Sequence, residues 1–82
     1  MTIEAIFINR ELAGVLRDGA YELPDGSTVT TLMDAAQLEA GVELTDDQKT
    51  SVVFVLDNKP AGYDTKLSDG TTLRAMYKIM GG

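Results

Sequence analysis

Apolar and polar positions alternate from the start of the chain. Ile3, Ala5 and Phe7 fall on one side of an extended backbone and Glu4, Ile6 and Ile8 on the other, the period-two pattern of a strand. Asn9, Gly14 and Gly19 punctuate the stretch that follows, as turn residues do. A second alternation, with Tyr21 and Leu23 opposite Ala20, Glu22 and Pro24, predicts a return strand that the Pro24-Asp25-Gly26 turn brings to an end. The two strands make a hairpin with a wide loop.

The period then lengthens. Val29, Leu32, Met33 and Ala36 stand at i, i+3, i+4 and i+7, one apolar face of a helix. Thr28 or Thr30 is placed to cap its first amides and Gly41 to terminate it. Residues 42–50 are mostly polar and read as a loop, with Asp46 and Asp47 a solvated turn, since two neighbouring acids without a third oxygen ligand make a poor metal site. The apolar, β-rich run from Val52 to Leu56 predicts a strand buried on both faces at the centre of a sheet. Asn58, Pro60 and Gly62 turn the chain, a short strand is expected near Tyr63 to Leu67, and a Ser68-Asp69-Gly70 turn leads into the final strand. There Leu73, Ala75, Tyr77 and Ile79 alternate with Arg74, Met76, Lys78 and Met80.

Two strands, one crossing helix and later strands packed on the same sheet predict an α+β domain of the ubiquitin-like β-grasp type, with a mixed sheet of four to five strands and the main helix on one face. A right-handed crossover sets the first and last strands side by side in mid-sheet, parallel. Residues 1–82 are expected to form this single domain, with 79–82 as a flexible Gly-Gly tail. A chain of this length buries only about 60% of its unfolded surface, so its core is small.

Composition narrows the chemistry. Cysteine and histidine are both absent, which excludes disulfides, thiolate chemistry by the protein itself, and the usual general base and metal ligands. Seven basic against thirteen acidic residues give a net charge of −6. That balance argues against nucleic acid, whose phosphates need clustered Lys and Arg, and leaves solubility or the docking of a basic partner. With no stretch resembling a signal peptide or a membrane span, a cytoplasmic protein without membrane association is expected.

The sequence ends in Gly81 and Gly82. Glycine packs no side chain and loses more backbone entropy than any other residue on ordering, so this end is either a frayed tail or the working part. Only a side-chain-free end fits a narrow channel closely. Residues from Lys78 onward, at up to roughly 3.5 Å each, can carry a carboxylate roughly 15 Å beyond the sheet. Ile79 and Met80 are apolar candidates for docking beside it, although Ile79 also continues the core alternation of Leu73, Ala75 and Tyr77. Arg74, Met76 and Lys78, on the other face of the last strand, form a possible partner face or a half-solvated outer surface.

These residues together resemble the MoaD/ThiS family of ubiquitin-like sulfur carriers and, within it, the small subunits of molybdopterin synthases. The stretches that carry the resemblance are LPDGSTVTTLMDA before and into the helix, VFVLDNKPA, TKLSDGTTLRAM, and the terminal Gly-Gly. The resemblance implies that Gly82 is adenylated by a MoeB/ThiF-like activating enzyme that uses ATP, and is then converted to a thiocarboxylate. It implies further that the sulfur passes to the molybdenum cofactor precursor through a larger, MoaE-like synthase subunit. Gly81, Met80 and Ile79 would thread the partner's channel. The chain would be a carrier, not an enzyme, with no bound cofactor. The alternatives are a ubiquitin-like modifier forming isopeptides through Gly82, a sulfur carrier for thiamine (thiazole) biosynthesis, and a purely structural β-grasp subunit.

Overall fold

The structure, a computed structural model, describes residues 1–8 and 14–77. In these the chain forms β1 (Thr2–Phe7), β2 (Gly19–Glu22), α1 (Val29–Ala40), α2 (Asp46–Thr50), β3 (Val52–Leu56), β4 (Lys59–Ala61) and β5 (Thr72–Tyr77). The strands make one mixed sheet in the order β2-β1-β5-β3-β4. β1 runs antiparallel to β2 and parallel to β5, and β5 pairs antiparallel with β3. The expected parallel pairing of first and last strands in mid-sheet is therefore present, and α1 lies on one face.

The core follows the two periodicities. Ile3, Ala5, Phe7 and Tyr21 on one side of the sheet, with Val52, Phe54, Leu73 and Ala75, are buried together with Val29, Leu32, Met33 and Ala36 of α1. Thr28 is the N-cap of α1, its extended backbone held by an N–H donated to Thr31 Oγ1 at 3.2 Å. Gly41 closes the helix at φ 70°, where a side chain would be strained. Beyond the predicted stripe, Gln37 is also buried, its Nε2 donating to the Met33 carbonyl at 3.0 Å and its Oε1 accepting from the Leu44 amide at 2.8 Å. One side chain thereby ties the segment after α1 back onto the helix.

Three expectations are corrected. The run Val52–Leu56 is not buried on both faces, nor is it the central strand: β3 is next to the edge, Val52 and Phe54 face the core, and Val53 on the opposite side is 40% exposed. Among the described residues, helix packs on one face only and nothing covers the other face of the sheet. Residues 46–50, read as loop, form the short helix α2. Thr45 and Gln48 start it reciprocally, the Gln48 amide donating to Thr45 Oγ1 at 3.1 Å and the Thr45 amide to Gln48 Oε1 at 2.7 Å. Asp46 and Asp47 are exposed in its first turn, where negative charge is favourable.

The third correction concerns the extra strand, which is Lys59–Ala61 rather than Tyr63 to Leu67. Asp57 and Asn58 both take positive φ, 48° and 69°, the geometry of a tight hairpin turn into β4. Pro60 is tolerated because β4 is an edge strand. The stretch around Tyr63 serves the helix instead, its carbonyls accepting the first amides of α1: Val29 donates to Thr65 at 3.0 Å and Thr30 to Tyr63 at 2.9 Å. Those carbonyls satisfy donors that a helix start leaves orphaned, and only an isolated bridge, Thr28 with Lys66, remains of a strand there.

Candidate functional site

The site begins with what aims β5. The turn before it is fastened at several points: Gly70 donates its amide to the Thr2 carbonyl at 2.8 Å, Thr2 its own to Asp69 Oδ1 at 2.7 Å, and Thr72 to Asp57 Oδ1 at 3.0 Å. From there β5 runs between β1 and β3, hydrogen-bonded on both sides, with Leu73 and Ala75 anchored in the core. Its far end at Tyr77 is the last described residue and leads toward the Gly-Gly terminus. Lys78, Ile79, Met80, Gly81 and Gly82 lie outside the described residues.

Of the residues singled out from the sequence, Arg74 and Met76 fall as expected on the face of β5 opposite the helix, both half-buried. Register shows what surrounds them. Arg74 pairs with Ile6 of β1 on one side and Val55 of β3 on the other, and Met76 pairs with Val53. Ile8, 50% exposed, donates its amide to the Ala75 carbonyl at 2.9 Å and so continues β1 beside Met76. Directly paired side chains on one face lie about 5 Å apart, so these residues form one apolar surface with a guanidinium in its midst. Among the described residues the Arg74 side chain makes no hydrogen bond or ion pair.

Sequence reasoning missed Ile6, Ile8, Val53 and Val55 as members of this surface. The alternation in β1 does show Ile6 and Ile8 leaving the core face. What it lacks is the register, which alone brings two strands distant in sequence to either side of β5.

The arrangement suits recognition rather than acid–base work. Among the described residues, the groups with displaced pKa values lie elsewhere. The Arg17 guanidinium is raised by its hydrogen bond to Glu39, at 2.5 Å, and Tyr21 and Tyr63 are raised chiefly by burial. No three potential metal ligands come together among the described residues. An apolar surface holding an arginine whose side chain is unpaired among the described residues is the kind of patch whose centre carries binding energy in protein interfaces.

No protein-family model matches the chain, and no curated protein matches it in sequence. Solved structures do match its fold. The crystal structure of SAMP1 from Haloferax volcanii is similar with a TM-score of 0.71 at 18% identity, 100% of both chains being covered. A putative molybdopterin converting factor, subunit 1, from Pyrococcus furiosus reaches 0.70 at 20% identity over 96% of this chain and 99% of that one. A chain from the complex of subunits 1 and 2 of the molybdopterin-converting factor of Helicobacter pylori 26695 reaches 0.58 at 15% identity, with 100% of both chains covered. At such identities the likeness is one of fold. The chain thus has the ubiquitin-like β-grasp fold of these proteins, as the order of its strands and helix led us to expect.

Proposed function

We propose that the chain is a sulfur carrier, not itself an enzyme, and that it serves molybdopterin biosynthesis. The observation that carries the reading is the position of β5: the strand fastened on both sides in the middle of the sheet is the one that Gly81 and Gly82 follow in the sequence. A terminus with a chemical task needs such a fixed base, because productive transfer depends on placing the reacting atom.

The chemistry asks little of the carrier. A carboxylate is a poor electrophile. Attack of the Gly82 carboxylate on ATP gives an acyl-adenylate and releases pyrophosphate, and a sulfur nucleophile then displaces AMP to leave the thiocarboxylate. The groups that catalyse both steps belong to the activating enzyme, in keeping with a chain that has no cysteine and no histidine. Gly81 and Gly82 present no Cβ to the walls of a channel and adopt whatever dihedrals it imposes. The open sheet face around Arg74 and Met76 docks the activating enzyme and then the larger synthase subunit. The match in fold to two molybdopterin-converting-factor subunits, one of them in a complex with its second subunit, supports this assignment.

Incubation with ATP, an activating enzyme and a sulfur source should exchange one oxygen for sulfur in the intact mass, and peptide mapping should place the exchange on Gly82. Sulfur at any other position, or covalent conjugates to lysines of other proteins without a thiocarboxylate, would replace this reading with another.

A further inference from the structure

On the helix side of the molecule, away from the Arg74 face, α1 and α2 bound a cleft of about 320 Å³. Met33 and Tyr63 supply its apolar lining, and Asp34 and Asp46 stand at its edges. A shallower depression of about 250 Å³ continues it past Gln37 and Lys49 to Leu38, Val42 and Glu43. Leu38 projects there almost free of the protein, 85% exposed.

The lining is held firmly. The Tyr63 ring meets Phe54 edge-on with centroids 4.9 Å apart, its hydroxyl donates to the Lys49 carbonyl at 2.6 Å, and both ends of the Gln37 amide are engaged within the fold. The rim is charged and unneutralised: Asp34, Glu43 and Asp46 are exposed, and among the described residues none of them is in an ion pair. Lys49 is the single cation in either lining.

We propose that this groove docks a segment of a partner protein that presents a lysine or arginine next to an aliphatic residue. The methylene stem of the basic side chain lies along the partly exposed Tyr63 ring, above the buried Met33, while its charge meets Asp34 and Asp46, the division of labour that amphipathic side chains adopt. The aliphatic neighbour covers Leu38 and Val42. Charge decides among occupants: three carboxylates against one ammonium repel an acidic segment, and a wholly apolar one would desolvate carboxylates without pairing them. The net charge of −6 draws a basic segment from a distance. This proposal does not depend on the sulfur-carrier reading, and because the groove is on the other side of the sheet its partner need not compete for the Arg74 face.

The test is a titration of the ¹⁵N-labelled protein with an acetylated, amidated pentapeptide of alternating leucine and arginine, followed by amide chemical shifts. Saturable shifts are expected at Asp34, Gln37, Val42 and Tyr63, with about tenfold weaker binding of the leucine–asparagine peptide and no binding of the leucine–glutamate peptide. Replacing Asp34→Asn together with Asp46→Asn should weaken the arginine peptide about tenfold while the remaining spectrum stays put, which separates lost binding from lost fold. Equal binding of all three peptides, or shifts centred on Arg74 and Met76, would overturn the proposal. So would groove shifts that follow protein concentration without peptide, since a second copy of the chain would then be the occupant.

Discussion

The Tyr63 hydroxyl donates a 2.6 Å hydrogen bond to the carbonyl oxygen of Lys49, fourteen residues earlier in the chain. It fastens the end of α2 to the segment that caps α1, and it leaves the phenol protonated. Burial raises the Tyr63 pKa above 10.0, with Tyr77 adding to the rise, and burial raises that of Tyr21 against the opposing pull of Arg17. A folded-state value above the unfolded one means that the folded protein holds its protons more tightly. The stability this contributes is complete below pH 10 and is lost as pH rises through the raised values. Urea midpoints should therefore fall above pH 10. Tyr63→Phe should cost about 1 kcal/mol at neutral pH and flatten the alkaline fall; a variant falling as steeply as the parent would show that other groups cause it.

Gln37→Leu exchanges a polar side chain for an apolar one of similar size in a buried place, a change that hydrophobicity alone would favour. It also strips the Leu44 amide of its acceptor at a residue only 7% exposed. A buried donor without a partner costs about 1–3 kcal/mol, so the substitution should destabilise by that amount in chemical denaturation. A neutral or stabilising result would mean that water reaches the Leu44 amide.

Gly81→Val tests the terminus. If this end threads a narrow channel, the added branched side chain must clash there or turn the backbone away from the dihedrals that glycine permits. Pyrophosphate exchange with the activating enzyme should fall by about a hundredfold or more, while the thermal midpoint barely moves. Deleting Gly82 draws the carboxylate back by roughly 3.5 Å and should be as damaging. Undiminished exchange by Gly81→Val would make the terminal glycines a tail without a task.

Arg74→Gln addresses the open sheet face. Because the Arg74 side chain makes no ion pair or hydrogen bond among the described residues, its loss should shift the thermal midpoint by no more than roughly 3 °C. Activation should nevertheless slow about tenfold or more, as expected for a residue at the centre of a docking surface. Unchanged activation would mark this face as ordinary half-solvated sheet.

What could be read from the residues divides along physical lines. β1, β2, α1 and β5 are amphipathic, and each announced itself by its period because half of it is buried in the one core. α2 has no buried residue, so no periodicity could reveal it; its one trace in the sequence is the Thr45–Gln48 spacing of a capping box. β3 was misplaced because an unbroken apolar run looks the same whether its second face is covered or merely apolar and open. That confusion also hid Val53 and Val55 as neighbours of Arg74 and Met76. The cleft beside α1 escaped notice because it draws on three separate segments, which only tertiary packing brings together.

The place of β5 also governs when the molecule can fold. The most C-terminal of the five strands is the one in the middle, so until it has been synthesised β1 with β2 and β3 with β4 remain two separate hairpins, each exposing an unsatisfied edge. Glu4 cannot reach its partner Thr72 before nearly the whole chain exists, and closing so long a loop is the slow kind of step in folding. Released from the ribosome, a chain truncated before Leu73 should therefore be cut readily by protease, and one that includes Tyr77 should resist it. Folding thereby waits on β5, since the sheet cannot close before its middle strand exists.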